Sequence, residues 1–227
     1  MGLRGIKPQG KVKIKWSAKF AYAIGLLVSD GCLYNDERHM SFVSKDEEQI
    51  DNFMKCLNLS TKKGESVSGH DSGIAYRVQW GDKNFYDFLV SIGITQSKSK
   101  TIKEIILPEK FFFDYLRGSF DGDGTFYSYW DKRWRSSHMF YLEFVSASRD
   151  HIRWLQTELQ KKLGVKGHIT NQEKQSVIQL KYAKKEALVI IKKMYYNPHV
   201  VCLSRKRLKI KRALDVEKKQ QIEYSKV

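Results

Sequence analysis

Two aspartates, Asp30 and Asp123, each close an apolar stretch of helical pattern and are each followed by glycine, in AYAIGLLVSDGCL and YLRGSFDGDGTF. A carboxylate at a helix C-terminus faces the negative end of the helix dipole, and a second carboxylate nearby adds repulsion. Divalent cations turn such a place into a site, because two metals flanking a phosphodiester activate water and stabilise the leaving oxygen. The chemistry these residue types suit is phosphodiester hydrolysis. Asp-Gly alone is a common turn signal between helix and strand. Its weight here comes from recurring at matching places in a repeat, within a very basic chain.

The helices must bring the two acids together. Ala21, Gly25 and Ser29 fall at i, i+4 and i+8, and Gly118 and Gly122 occupy the positions matching Gly25 and Ser29. A stripe of small residues lets two helix backbones approach closely, and glycine inside a helix, costing about 1 kcal/mol, calls for such a reason. Around the helices the chain repeats. Met40 to Ser44 and Leu142 to Ser146 share Phe-Val-Ser, and helical patterns follow at Ile50, Phe53, Met54 and Leu57 and at Ile152, Leu155, Leu159 and Leu163. Alternating strands come next, with Tyr76, Val78 and Trp80 in one copy and Ile178, Leu180 and Tyr182 in the other. Period-2 alternation puts the apolar set on a core and the polar set on the opposite face. Further helices are expected near 82–92 and 184–195, then the basic segments Gln96 to Thr101 and Leu203 to Arg207. The order is αββαββα, twice. The fold class expected is α+β, divided into a basic N-terminal arm (1–16), a first repeat (17–104), a linker (105–110), a second repeat (111–212) and a charged tail (213–227), helical at first and then frayed.

Composition narrows the partner. The 227 residues carry 41 Lys plus Arg against 25 Asp plus Glu, a formal charge of +16, which points to a polyanion and first to nucleic acid. No apolar run approaches the roughly 20 residues a membrane span needs, and the basic N-terminus lacks the apolar region of a secretory signal. Cys32, Cys56 and Cys202 form no metal-binding spacing and read as reduced thiols. A cytoplasmic or organelle-interior location is expected, with no membrane partner and no secretion.

The two motif stretches resemble those of the LAGLIDADG homing endonucleases: Ala23 to Gly31 loosely, Leu116 to Gly124 well. Both matches are followed by the same strand and helix order, so the resemblance covers nearly the whole chain. It implies a single-chain, monomeric, pseudo-two-fold enzyme whose paired motif helices form the interface. It also implies a curved antiparallel sheet in each half, laid in the DNA major groove. The last acid of each motif, Asp30 and Asp123, is then the metal ligand, joined by backbone carbonyls at Ser29 and Gly122. Mg²⁺ is the expected ion, with Mn²⁺ as a substitute and Ca²⁺ supporting binding without cleavage. The family's basic residue near the end of each half falls on Lys98 and Lys206, either stabilising charge at the phosphorus and orienting water or binding phosphate at the surface. The position of the family's water-organising glutamine falls on Ser44 and Ser146, whose hydroxyls take that part or cap the next helix. Val28 stands where the second copy has Asp121, an acid usually structural in the family, and Lys45 stands opposite Ala147.

The resemblance implies a long, near-asymmetric double-stranded DNA target, as in intron homing. Strand parity points Tyr34, Asp36, Arg38, Arg77 and Gln79 outward in the first half, and Thr125, Tyr127, Tyr129, Asp131, Lys166, His168, Gln179 and Lys181 in the second. Arg and Lys suit guanine edges and Gln suits adenine, whereas a solvated sheet face is the plain alternative. Lys7, Lys11, Lys13 and Lys15 and the stretch from Arg205 to Arg212 are candidates for phosphate contacts, which position a duplex without reading it. The N-terminal lysines equally suit a solubilising tail. The rival class is a nucleic-acid binder that does not cut, such as an RNA maturase or a DNA-binding regulator on the same fold. A protein-splicing element is not expected, since the chain lacks the terminal residues that splicing uses.

Overall fold

A computed structural model describes residues 10–67, 73–134, 137–171 and 177–224; Lys7 lies outside them. Helix α1 (Ala18–Asp30) begins where the Ser17 hydroxyl accepts the Phe20 N–H at 3.1 Å and ends as Gly31 turns to extended backbone. Short β1 (Gly31–Leu33) pairs with β2 (His39–Ser44), and α2 (Glu47–Leu57) closes with Asn58 in the left-handed region. Then come β3 (Lys63–Val67), β4 (Ile74–Gly81) and α3 (Lys83–Ser91). The second repeat runs α4 (Phe112–Asp123), β5 (Thr125–Trp130), β6 (His138–Ser146), α5 (Arg149–Leu163), β7 (His168–Asn171), β8 (Ile178–Ala183) and α6 (Lys184–Met194). Helix α7 (Ser204–Tyr224) follows.

Each half is thus αββαββα over an antiparallel four-stranded sheet, in the orders β1-β2-β4-β3 and β5-β6-β8-β7. Alternation does what the sequence predicts. Phe42, Val78 and Trp80 in one sheet, and Phe140, Phe144, Leu180 and Tyr182 in the other, turn inward and are buried. The two halves share one continuous apolar core running through α1 and α4.

The closest approach is backbone to backbone. A Cβ on Gly118 would lie 2.0 Å from the Tyr22 carbonyl oxygen and 3.1 Å from the Gly25 Cα, and one on Gly25 would lie 2.1 Å from the Tyr115 oxygen. Further along, a Cβ on Gly122 would meet the Ser29 side chain at 2.4 Å and Asp30 Oδ2 at 3.2 Å. The predicted small-residue stripe is therefore the seam, and it carries both motif aspartates to one end of the molecule.

Two strand assignments differ from the sequence expectation. Strand β1 stops at Leu33, so Tyr34 to Arg38 form the turn, where the Asp36 carboxylate accepts the Arg38 and His39 N–H groups. Lys166 precedes β7, its N–H held by Glu186. Helix α7 runs unbroken through 212, because Ile210, Ala213 and Glu217 stay buried on one side; Glu217 binds His138 at 3.1 Å and Lys184 at 2.5 Å. At the other end, the Lys11 and Val12 N–H groups are fixed on the buried Asp82 carboxylate, so residues 11–12 are docked.

A Gly118→Ala substitution is expected to destabilise by about 3 kcal/mol or more, lowering Tm by roughly 6–12 °C for a chain of this size; differential scanning calorimetry measures it. A second expectation concerns buried His151, whose Nδ1 donates to the Lys103 carbonyl at 2.6 Å while Nε2 faces the Tyr115 hydroxyl at 3.2 Å. Burial pushes its pKa down from 6.5 to about 4. The unfolded chain takes up a proton below about 6.5 and the folded one resists until about 4, so this group removes stability as pH falls through that window. Asp30 and Asp121, both raised to about 6, act oppositely there. The comparison of wild type with His151→Gln isolates the imidazole: the variant should lose less Tm between neutral pH and pH 5.

Candidate active site at the paired helix ends

Asp30 and Asp123 meet where α1 and α4 end side by side. Burial first, and then the Asp123 charge, raise the Asp30 pKa to about 6; burial also raises that of Asp123, which stays more open to solvent. Lys206 and Lys98 offset part of this for both acids. Two carboxylates under mutual strain in one partly dry place form a donor set that suits a hard divalent cation. Among the described residues no group of three or more acidic, His or Cys side chains gathers, so phosphate or water oxygens would have to complete any ion's shell.

The two lysines are buried and aim at the same helix ends. Lys98 Nζ donates to the Gly31 carbonyl at 2.5 Å. Lys206 Nζ donates to the carbonyls of Phe120 (2.7 Å), Gly122 (3.1 Å) and Gly124 (2.7 Å). These carbonyls lie at or just beyond the ends of α1 and α4, and that of Phe120 also accepts the Gly124 N–H at 2.9 Å. The Gly122 oxygen assigned to a metal in the sequence is thus already an acceptor for Lys206. Burial pushes Lys206 down to about 8 and lowers Lys98 as well. The Ser29 hydroxyl meets the Ser119 carbonyl at 3.4 Å, across the seam.

The serines behave unequally. Ser44 Oγ donates to Gln49 Oε1 at 2.9 Å, and Gln49 Nε2 donates to Asp30 Oδ2 at 3.1 Å. Gln49, on α2 and buried, is a site residue absent from the sequence prediction. A glutamine on the core side of that helix, beside Ile50 and Phe53, was the available signal. In the second half Ser146 Oγ accepts the Ser148 N–H, and the position matching Gln49 is His151, turned to Tyr115 and Lys103. An open cleft of about 740 Å³ beside Asp30 is lined by Ser44, Gln49, Tyr76, Gly122 and Arg205.

Asp121 and Val28 differ as their types require. The buried Asp121 carboxylate accepts the Tyr22 hydroxyl at 2.8 Å and the Leu203 N–H at 2.7 Å. It fixes the start of α7 to the seam. Val28 only packs against the core. Arg117, also missing from the predicted site, is buried; it donates to the Met194 and Val201 carbonyls and pairs with Asp114 at 2.7 Å.

The sheet faces opposite the helices differ in chemistry. The first carries Arg77 and Gln79, with Arg77 hydrogen-bonded to the Tyr34 hydroxyl and to Gln79 at 2.9 Å. The second carries Tyr127, Tyr129 and Tyr141 stacked in parallel, with Lys181 paired to Glu143 at 2.9 Å. Gln179 and His168 share that face, where His168 stands opposite Lys181 and the Thr170 hydroxyl meets Gln179 Oε1 at 3.3 Å. Arg38, Lys13 and Lys166 are exposed.

This geometry defines a single-chain LAGLIDADG-like protein with two motifs. The family model of the WhiA LAGLIDADG-like domain matches residues 19–109 and 113–194, and the chain belongs to that family. The homing endonuclease I-WcaI, solved bound to its DNA recognition sequence, is similar with a TM-score of 0.60 and 16% identity, covering 91% of this chain and 95% of that one. Full-length DUF199/WhiA from Thermatoga maritima gives 0.55 and 15%, covering 89% of this chain; the match spans 62% of that longer protein. Meganuclease I-SmaMI bound to uncleaveable DNA gives 0.57 and 12%, over 87% and 91%. At such identities the shared property is the fold. No curated protein matches by sequence. Among the described residues no helix is long and apolar enough to cross a membrane.

Lys206→Met leaves three carbonyls without their cation, whereas Lys98→Met leaves one. At about 1.5–3 kcal/mol for a charged hydrogen bond, Lys206→Met should lower Tm by several degrees more than Lys98→Met in thermal denaturation. Equal, negligible losses would mark both lysines as free of a structural part.

Proposed function

We propose that this protein is a monomeric, sequence-specific, metal-dependent DNA endonuclease that hydrolyses both strands of a long, near-asymmetric target. The observation that carries the reading is the convergence of Asp30 and Asp123 at one place, each beside a buried lysine. Asp30 and Asp123 would hold divalent ions, Mg²⁺ or Mn²⁺, which supply Lewis acidity and a water nucleophile when bound. The chain's own contribution is placement. Gln49 and Ser44 orient the Asp30 carboxylate, Lys98 and Lys206 set positive charge behind the reacting phosphate, and the glycine seam holds both centres at a fixed separation. The polar sheet faces, with Arg77 and Gln79 in one half and Gln179, Lys181 and the tyrosines in the other, would read base edges in the major groove. Ca²⁺ should support binding alone, and the intracellular setting of a homing enzyme suits the basic, reduced-thiol composition.

The family match favours a second reading, a nucleic-acid binder on the same fold that does not cut. A randomised duplex library incubated with Mg²⁺ or Ca²⁺, followed by sequencing of ends, separates the two. Specific breaks with Mg²⁺ alone support the endonuclease, and enrichment by binding without breaks supports the binder. With a target in hand, Asp30→Asn and Asp123→Asn should each abolish double-strand cleavage while duplex affinity stays within a few fold. Full cleavage by either variant would remove the metal-ligand assignment.

A further inference from the structure

Beside Asp123 an open groove of about 460 Å³ runs between the start of β5 and the first turns of α7, lined by Gly124, Thr125, Arg205, Lys206, Lys209 and Arg212. Arg205, Lys209 and Arg212 fall at i, i+4 and i+7, so one stripe of the helix supplies all three cations. Arg205 is held by Asp46 of the first half at 2.7 Å. Lys209 and Arg212 are exposed, and neither pairs with a carboxylate among the described residues. Solvated cations often merely keep a surface soluble, but these two project from a helix whose backbone is anchored. The neighbouring Ile210 and Ala213 are buried on the second sheet, and Glu217 anchors the same helix further on.

The three cations have no counterparts at the matching positions of the first half. With Lys98 aligned to Lys206, the residues matching Arg205, Lys209 and Arg212 are Ser97, Thr101 and Glu104. There the chain leaves Lys98 in a turn and continues without a helix until residue 109. The same-place comparison therefore sets three cations against one acid and two hydroxyls.

We infer that Lys209 and Arg212 form a one-sided clamp for the sugar–phosphate backbone of duplex DNA where it leaves the Asp123 centre. The inference rests on the nucleic-acid reading above, shared by its cutting and non-cutting forms, and adds that the two halves grip the duplex unequally. Charge complementarity and continuity with the Asp123 end of the motif helices select this occupant. The clamp contacts phosphate only, so it contributes affinity and orientation but no sequence preference.

The test is fluorescence anisotropy with a short duplex of random sequence between about 50 and 200 mM salt. It compares the wild type, Lys209→Ala/Arg212→Ala, and a control, Lys192→Ala/Lys193→Ala, whose exposed lysines lie on α6. Two lost phosphate contacts should make the log–log salt slope shallower by about 1.8 for the α7 variant, with the control close to wild type and Tm unchanged in both. An unchanged slope in a variant that still binds overturns the clamp and leaves the nucleic-acid reading standing. A slope that falls equally in the control also overturns it, since general charge then explains the effect. A loss seen with duplex RNA but not DNA overturns the choice of partner, and absence of any duplex binding by the wild type overturns clamp and reading together.

Discussion

The contact between Gly25 and Gly118 governs the rest of the molecule. Helices usually pack with their axes 8–10 Å apart, separated by side chains; here the backbones themselves touch, and the Tyr22 and Tyr115 carbonyls fill the space a Cβ would need. Each helical glycine costs about 1 kcal/mol in propensity, a cost the shared core offsets. The close seam forces the two helix ends together, and with them two aspartates that would separate if free. At those ends Lys98 and Lys206 reach the backbone carbonyls from within the protein.

This makes the electrostatics of the site a closed system. The lysines are buried by the same packing that brings the carboxylates together, and each group shifts the others: the acids keep the ammonium groups charged against burial, while the ammonium groups limit how far the acids rise. A lysine in this position holds the helix ends as well as offsetting the acids, so a loss of activity on its removal would not by itself be evidence of a catalytic role. The placement of Gln49 adds a local difference. One aspartate is oriented by an amide and a hydroxyl, while its twin has neither, because the matching position is a histidine committed to the second-half core.

How much of this was readable in the sequence depended on period. The αββαββα order, the inward strand residues and the glycine stripe all follow from repeats of two, four or about one hundred residues, and all are present in the structure. The two aspartates stood out because each closes a helical pattern at a matching place in the repeat, whereas Lys98 and Lys206 were singled out only by the resemblance to the family. Gln49 and Arg117 were missed because they have no twin: their roles arise from contacts across the fold, at separations no local pattern encodes. Tyr34 does reach the polar face through its hydroxyl, beside Arg77, but the assignment of Tyr34 to Arg38 as strand residues failed for another reason. A turn stabilised by Asp36 captures the segment after three strand residues, and alternation beyond that point carries no meaning. Helix α7 continues into the charged tail because burial of Ile210, Ala213 and Glu217 outweighs a highly charged composition.

Asp121 has a consequence for how the chain can be recombined. Its carboxylate joins the first-half Tyr22 hydroxyl to the backbone that opens α7, while Ser204 at that opening is held by Glu48 from the first half. Helices α4 and α7, more than eighty residues apart in sequence, form one inheritable module with a receptor surface on the opposite half. A chimera that takes its second half from this chain must keep Tyr22 and Glu48 in the first. One built from two copies of the first half would have Val28 on both sides and nothing to seat a terminal helix. The halves look like duplicates, but as building blocks they are a plug and its socket.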